Sequence, residues 1–183
     1  FPGAHIKVTN ATSIQSVELL NSGQVDFIVV NSPNAYLGSV TKIKRIKIFQ
    51  DVFLANQSFK ELRGRQLSFQ ELLEYPILML DKKSTTSEFL HSMFQKHQLD
   101  LVPEIELSSN DLLIDLAKIG LGIAFVPDFC IPSSDSSLFI LELEEALPER
   151  QLVVVHNESI PISQAARQFM ELLGGREREQ EEA

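Results

Sequence analysis

Along this chain, short continuous apolar runs alternate with segments whose apolar residues recur every three or four positions. The clearest stretch is Ser108 to Pro127, SSNDLLIDLAKIGLGIAFVP. Ser109 or Asn110 can cap a helix there. Leu112, Leu113, Leu116, Ala117 and Ile119 follow at helical spacing. Gly120 stands where a helix C-terminus needs positive φ, and Gly122 extends the turn. Ile123 to Val126 is a short apolar strand stopped by Pro127.

The same reading predicts strands over His5–Thr9, Val25–Val30, Val40–Ile48, Val52–Ala55, Pro76–Leu80, Glu104–Leu107, Leu138–Leu143 and Leu152–Val155. It predicts helices over Ile14–Ser22, Phe69–Leu73, Ser87–His97 and Ile162–Leu173. Gly23 closes the first. Ser68, with Glu71 at the capping-box position, opens the second. Ser163 or the turn at Pro161 opens the last, and Gly174-Gly175 ends it. Gln57 to Gln66 reads as a polar loop. Strands and helices thus alternate, and most strands are apolar on both sides. That argues for an α/β architecture whose sheets are mixed, mostly parallel, and covered on both faces. No internal repeat is visible.

Composition narrows the class. The 183 residues are 44% hydrophobic and 22% charged, which suits one good core or two lobes of about 80–100 residues each. A net charge of −9 argues against direct nucleic-acid binding by these residues. Lys42, Lys44, Arg45 and Lys47 form the one basic cluster. They are interleaved with Ile43, Ile46 and Ile48, as on the outer face of a half-buried strand. Cys130 is the lone cysteine, so no internal disulfide can form. It reads as a small buried hydrophobe and fits a reducing compartment. No apolar run is long enough for a membrane span, and no signal peptide is apparent. The opening Phe1-Pro2-Gly3 reads as an internal start, and Arg176 to Ala183 as a polar tail without assigned function.

Three strand-to-helix junctions carry the candidate chemistry: Asn10-Ala11-Thr12-Ser13, Ser84-Thr85-Thr86-Ser87 and Ser108-Ser109-Asn110. Each places hydroxyls and backbone N–H groups at a helix N-terminus, where anions are stabilised. Ligands of α/β sheets sit beyond the carboxyl ends of the strands, where such junctions lie. Together the junctions could hold a carboxylate without an arginine. Each cluster also serves as an ordinary N-cap. The Ser84–Ser87 run is the exception, since four successive hydroxyls exceed the needs of one cap.

No catalytic constellation emerges. His91 and His97 fall on different helix faces and make a poor metal pair, while His5 and His156 stand alone. Asp26 suits capping or packing. Asp111 and Asp115, four apart, read as a wet face. No nucleophile elbow, P-loop, dinucleotide fingerprint or metal motif is present. The expectation is a non-enzyme with no cofactor and no metal.

Several segments in order resemble the effector-binding domain of LysR-type transcriptional regulators. FPGAHIKVTNATSIQSVELLNSGQVDFIVV is similar to the family's block "yP.v.l.l..g.s..l...l..g.vDlai", and the segment ending GLGIAFVP to its "glGia.vP" signature. DVFLANQSF, LSFQELLEYPILML, STTSEFLHSMF and LPERQLVVVHNESIPISQAARQFMELL resemble later blocks. The resemblance implies a two-lobed, type II periplasmic-binding-protein-like fold with an effector in an interlobe cleft. Lobe I would comprise residues 1–54 and 157–175, lobe II residues 55–156, with 176–183 as a charged tail. The chain crossings would fall near Val52–Asn56 and Gln151–Asn157.

By the same resemblance Ser13 lies in the first lobe's polar loop, Asn31 where a polar residue reaches the effector, and Ser84 and Thr85 in the second lobe's hydroxyl-rich loop. Pro127 and Phe129 would line the cleft. With Thr12 and Thr86 from the same two junctions, the expected effector-binding set is Thr12, Ser13, Asn31, Ser84, Thr85, Thr86, Pro127 and Phe129. The family's helix-turn-helix domain, linker helix and first strand-helix unit are not recognised in these residues. The implied protein is a cytoplasmic regulator that binds a small anionic effector (a carboxylate or inorganic anion). It would form homo-oligomers through lobe I, contact DNA through the helix-turn-helix domain, and have no membrane role. A transport-type solute receptor, or a dehydratase-like enzyme on the same scaffold, are the alternatives.

Overall fold

A computed structural model of the chain describes residues 3–39, 41–132 and 136–173. The expected glycine stop at 174–175 and the polar tail lie outside these. In chain order the elements are α1 (Ser13–Asn21), β1 (Ile28–Ser32), β2 (Thr41–Phe49), β3 (Asp51–Asn56), β4 (Gln66–Leu67), α2 (Phe69–Leu72), β5 (Ile77–Leu80), α3 (Thr85–Lys96), β6 (Ile105–Leu107), α4 (Asn110–Lys118), β7 (Ile123–Pro127), β8 (Leu138–Ile140), β9 (Glu142–Leu143), β10 (Arg150–Asn157) and α5 (Gln164–Leu173). The chain forms two compact units, Phe1–Ile48 with Arg150–Ala183 and Phe49–Glu149.

The first unit carries a three-stranded sheet in the order β1-β10-β2. β1 and β10 run antiparallel, with Val30 opposite Val153 and Ile28 opposite Val155. One face of that pair packs on Val17 and Leu20 of α1. The helix starts at a capping box: Thr12 Oγ1 accepts from the Gln15 N–H, and the Thr12 N–H donates to Gln15 Oε1. At α5 the Ala166 N–H donates to Ser163 Oγ at 3.0 Å, so of the two expected openings it is the serine that caps.

The alternating segment His5–Thr9 departs from expectation: it belongs to no strand, and Ile6 and Val8 are exposed. Alternation is only half of a strand's requirement. The backbone also needs a ladder partner, and none of the described residues provides one. β1 starts later than expected and runs through Asn31, which lies opposite Leu152 rather than in the following loop.

The second unit is built on a five-stranded sheet in the order β6-β5-β7-β3-β8. Its central strands are apolar on both faces because both faces are covered. Phe53, Ala55, Ile77, Met79, Ile123 and Phe125 pack with Leu90, Met93 and Phe94 of α3. Leu54, Leu78, Ala124 and Val126 point the other way, onto Leu113, Ile114 and Ala117 of α4. The period of two along each strand assigns alternate residues to these two cores. β5 runs parallel to β6 and β7, whereas β3 runs antiparallel to β7 and β8. A small parallel pair, β4 with β9, completes the unit.

The expected single strand Leu138–Leu143 is divided. β8 pairs with β3, the Leu141 N–H still donates to the Phe53 carbonyl, and β9 then leaves to pair with β4. The expected loop at 57–66 contains a short 3₁₀ turn, Gln57–Leu62, opened by Asn56 Oδ1 accepting from the Ser58 N–H.

Candidate functional site

In the second unit β6, β5 and β7 are parallel neighbours, so their C-terminal ends lie on one side of the sheet. Three chain segments leave from that side: residues 81–84 into α3, 108–109 into α4, and the short 3₁₀ turn Asp128–Cys130 after β7. This is where open α/β sheets bind ligands. Three of the sequence-predicted residue sets meet there.

The α3 junction is the most developed. Asp81 Oδ1 accepts from the Lys83 N–H, turning the chain, and Ser84 Oγ accepts from the Ser87 N–H at 3.0 Å. Ser84, Thr85, Thr86 and Ser87 are all at least 95% buried. A hydroxyl run of this kind sits in water on most helix starts; here four are withdrawn from it. The Ser87 Oγ has no hydrogen-bond partner. The Cα–Cβ bonds of a helix tilt toward its N-terminus, and Ser87 stands in the first turn of α3. A buried hydroxyl without a partner costs roughly 1–3 kcal/mol, a cost that a bound acceptor or donor removes.

The neighbouring junctions are simpler. Ser109 Oγ caps α4 through the Leu112 N–H at 3.4 Å. Pro127 is buried at the end of β7, opposite Asp51 of β3. Phe129 is 40% exposed and meets Phe49 edge-on at 5.1 Å. In the first unit Thr12 is tied into its capping box, Ser13 begins α1, and Asn31 lies within β1.

Of the acidic groups at this end of the sheet, Asp111 was read from the sequence as part of a wet face, and Asp51 and Asp128 were not singled out. Asp51 is almost fully buried, and Asp128 Oδ2 accepts from the Gln50 N–H. Their signal was available: an aspartate opening the apolar run DVFLA, and another directly after a strand-ending proline. Cys130 reports their field. Burial first, then the charges of Asp111, Asp51 and Asp128, push its thiol up to about 11. Relative to the ordinary value of 9.0, about a hundredfold less thiolate is present at pH 8. We therefore expect iodoacetamide to alkylate Cys130 about a hundredfold more slowly in the folded protein than in urea. Equal rates would show that neither burial nor the neighbouring carboxylates hold the thiol up.

A concavity of about 270 Å³ lies at the C-terminal end of α3. Two of its polar residues are engaged with neighbours: the His97 ring stacks on Phe69 at 4.7 Å, and His97 Nε2 meets Glu145 Oε2 at 3.0 Å. Among the described residues no group of three or more His, Cys, Asp or Glu side chains could hold a metal ion, and no helix is long and apolar enough to cross a membrane.

Two α/β units, one with hydroxylated helix starts at the carboxyl end of a mixed sheet, define the class of two-lobed ligand-binding domains with a type II periplasmic-binding-protein-like fold. Residues 1–178 match the family model for the LysR substrate binding domain, and the chain belongs to that family. It is 21% identical over 175 residues to the HTH-type transcriptional activator CmpR of Synechocystis, covering 94% of this chain and 57% of that protein. The chain thus spans little more than half of that relative. The solved CcmR regulatory domain of Synechocystis in complex with 2-PG superposes with a TM-score of 0.84 at 19% identity, covering 96% of this chain and 84% of that one. The effector-binding domain of QuiR in complex with shikimate gives 0.77 at 12% identity, with 92% and 79% covered. The bromide-bound regulatory domain of HypT from Salmonella typhimurium gives 0.72 at 21% identity, with 90% and 78% covered.

Proposed function

We propose that this domain senses a small anionic effector for a cytoplasmic transcriptional regulator and has no catalytic activity of its own. DNA would be contacted by a helix-turn-helix segment outside these residues, and homo-oligomers would form through the first lobe. The effector would be held by residues of the expected set, Thr12, Ser13, Asn31, Ser84, Thr85, Thr86, Pro127 and Phe129. Supporting this reading are family membership and neighbours whose structures are in complex with 2-PG, in complex with shikimate and bromide-bound. The observation that carries it is the buried hydroxyl run at the α3 N-terminus, with the Ser87 Oγ lacking a partner. Neutral donors and a helix dipole stabilise an anion without the desolvation cost of burying a cation. Effector binding favours one arrangement of such a domain by its differential affinity, and the shift is read elsewhere in the protein.

A melting-temperature screen of inorganic anions and organic acids, 2-PG and shikimate among them, tests the site. A ligand at a hundred times its Kd stabilises by about 2.7 kcal/mol. We expect Ser84→Ala/Thr85→Val to remove that stabilisation while the unliganded protein still unfolds cooperatively. Full stabilisation in the double variant would remove this loop from the site.

A further inference from the structure

Gln50 is the single residue between β2 and β3, and it stands at a junction of the chain. The chain enters the second unit between Ile48 and Phe49 and leaves it between Glu149 and Arg150. Gln50 lies just past the first passage, and Leu147 just before the second. The Gln50 Nε2–H donates to the Leu147 carbonyl at 2.7 Å, so one side chain ties the two passages together. That carbonyl precedes Pro148, whose ring fixes φ and stiffens the way into β10. The Leu147 side chain is itself buried in the core on the α3 face.

The backbone of Gln50 holds the turn after β7. The pairing of β3 with β7 sets Asp51 opposite Pro127, and one residue further out Gln50 meets Asp128. The Asp128 N–H donates to the Gln50 carbonyl at 2.9 Å. A side chain makes the return bond: Asp128 Oδ2 accepts from the Gln50 N–H at 3.3 Å. Beside this pair Phe49 meets Phe129 edge-on at 5.1 Å. Pro127 and Phe129, both in the expected effector-binding set, flank Asp128 in the chain.

We propose that Gln50 is a coupling joint, which carries a displacement of the turn Asp128–Cys130 to both passages of the chain at once. The path is contiguous: two hydrogen bonds and a ring contact on the turn's side, and one hydrogen bond on the side of Leu147. A neutral amide suits the position, since it donates to a carbonyl without adding charge beside Asp128. The joint is a property of the second unit by itself. Its use in signalling rests on the effector-sensing reading above, because a ligand held by Pro127 and Phe129 acts on the residue between them.

Amide hydrogen exchange of the whole chain, read by mass spectrometry, tests the joint without a ligand. Asp128→Ala perturbs the turn. Gln50→Met keeps the length of the side chain, adds no charge and removes the donor. We expect Asp128→Ala to speed exchange in residues 145–150 about fivefold or more in the wild-type background, and less than about twofold in the Gln50→Met background. Amides of β5 and β6 should not change in any variant, which separates the joint from a general loss of stability. If Asp128→Ala does not fold, Phe129→Ala, which removes the ring contact with Phe49, takes its place. Equal responses in both backgrounds, or no response at 145–150 in either, overturn the proposal. A second arm adds 2-PG and, separately, shikimate. A probe that slows exchange in residues 127–130 should also slow it in 145–150 of the wild type, and not in Gln50→Met. Protection confined to the turn in the wild type overturns the joint and leaves the sensor intact. Protection by neither probe counts against the sensing reading alone, and the comparison without ligand then decides the joint.

Discussion

Phe125→Ala is expected to destabilise the second unit by about 3–5 kcal/mol. Phe125 is completely buried in the centre of β7, its ring 4.8 Å from that of Phe53 and 6.5 Å from that of Phe89. Alanine removes the apolar transfer energy of the ring and leaves a cavity. The walls cannot close it, because Phe53 lies on a paired strand and Phe89 on a helix already docked through Leu90 and Phe94. Lost ring–ring contact adds about 0.5–1.5 kcal/mol. Urea unfolding followed by far-UV circular dichroism measures this, since the chain has no tryptophan to report it. A loss below about 1.5 kcal/mol would mean that this core is plastic rather than closely packed.

Gly122→Ala is expected to cost about 3 kcal/mol, by a different route. A Cβ there would stand 2.5 Å from the Pro76 carbonyl oxygen and 2.8 Å from the Leu78 side chain. Something must move, and the nearest atom is backbone. The same carbonyl accepts the Ile123 N–H at 2.8 Å, so a shift strains the start of the β5–β7 ladder. Gly120 provides the contrast. Its φ of +81° penalises any side chain by roughly 1–2 kcal/mol, and a Cβ would meet the Ser58 hydroxyl, which can rotate away. Gly122→Ala should therefore lower the unfolding midpoint more than Gly120→Ala. The reverse order would show that backbone conformation, not close approach, governs this turn.

The stretch containing these glycines was the most legible in the chain, and the reason is local. Ser109 caps α4, Gly120 has positive φ, and β7 ends at Pro127, each set by residues within a few positions. The Ser68–Glu71 capping box was legible in the same way. Segments whose state depends on a distant partner were not. His5–Thr9 has the alternation of a strand without a neighbour to pair with. Leu138–Leu143 has one continuous pattern but two sheets to serve. At the candidate site the hydroxyls of residues 84–87 could be read from the sequence, but the burial that makes them unusual could not. Asp51 and Asp128 were overlooked, and Asp111 was read only as part of a wet face, because each looks ordinary beside its own neighbours.

From the sequence alone came the α/β class, the positions of most helix starts and turns, and the likeness to a family of effector-binding domains. Capping, turn chemistry and hydropathic period act over three or four residues, so the chain writes them where they happen. The tertiary structure decided that β3 joins the second unit's sheet and β10 the first, and that Asp51, Asp111 and Asp128 stand around one thiol. Those relations link residues dozens of positions apart. They arise only when strand order brings β3 beside β7 and places the start of α4 at the same end of the sheet.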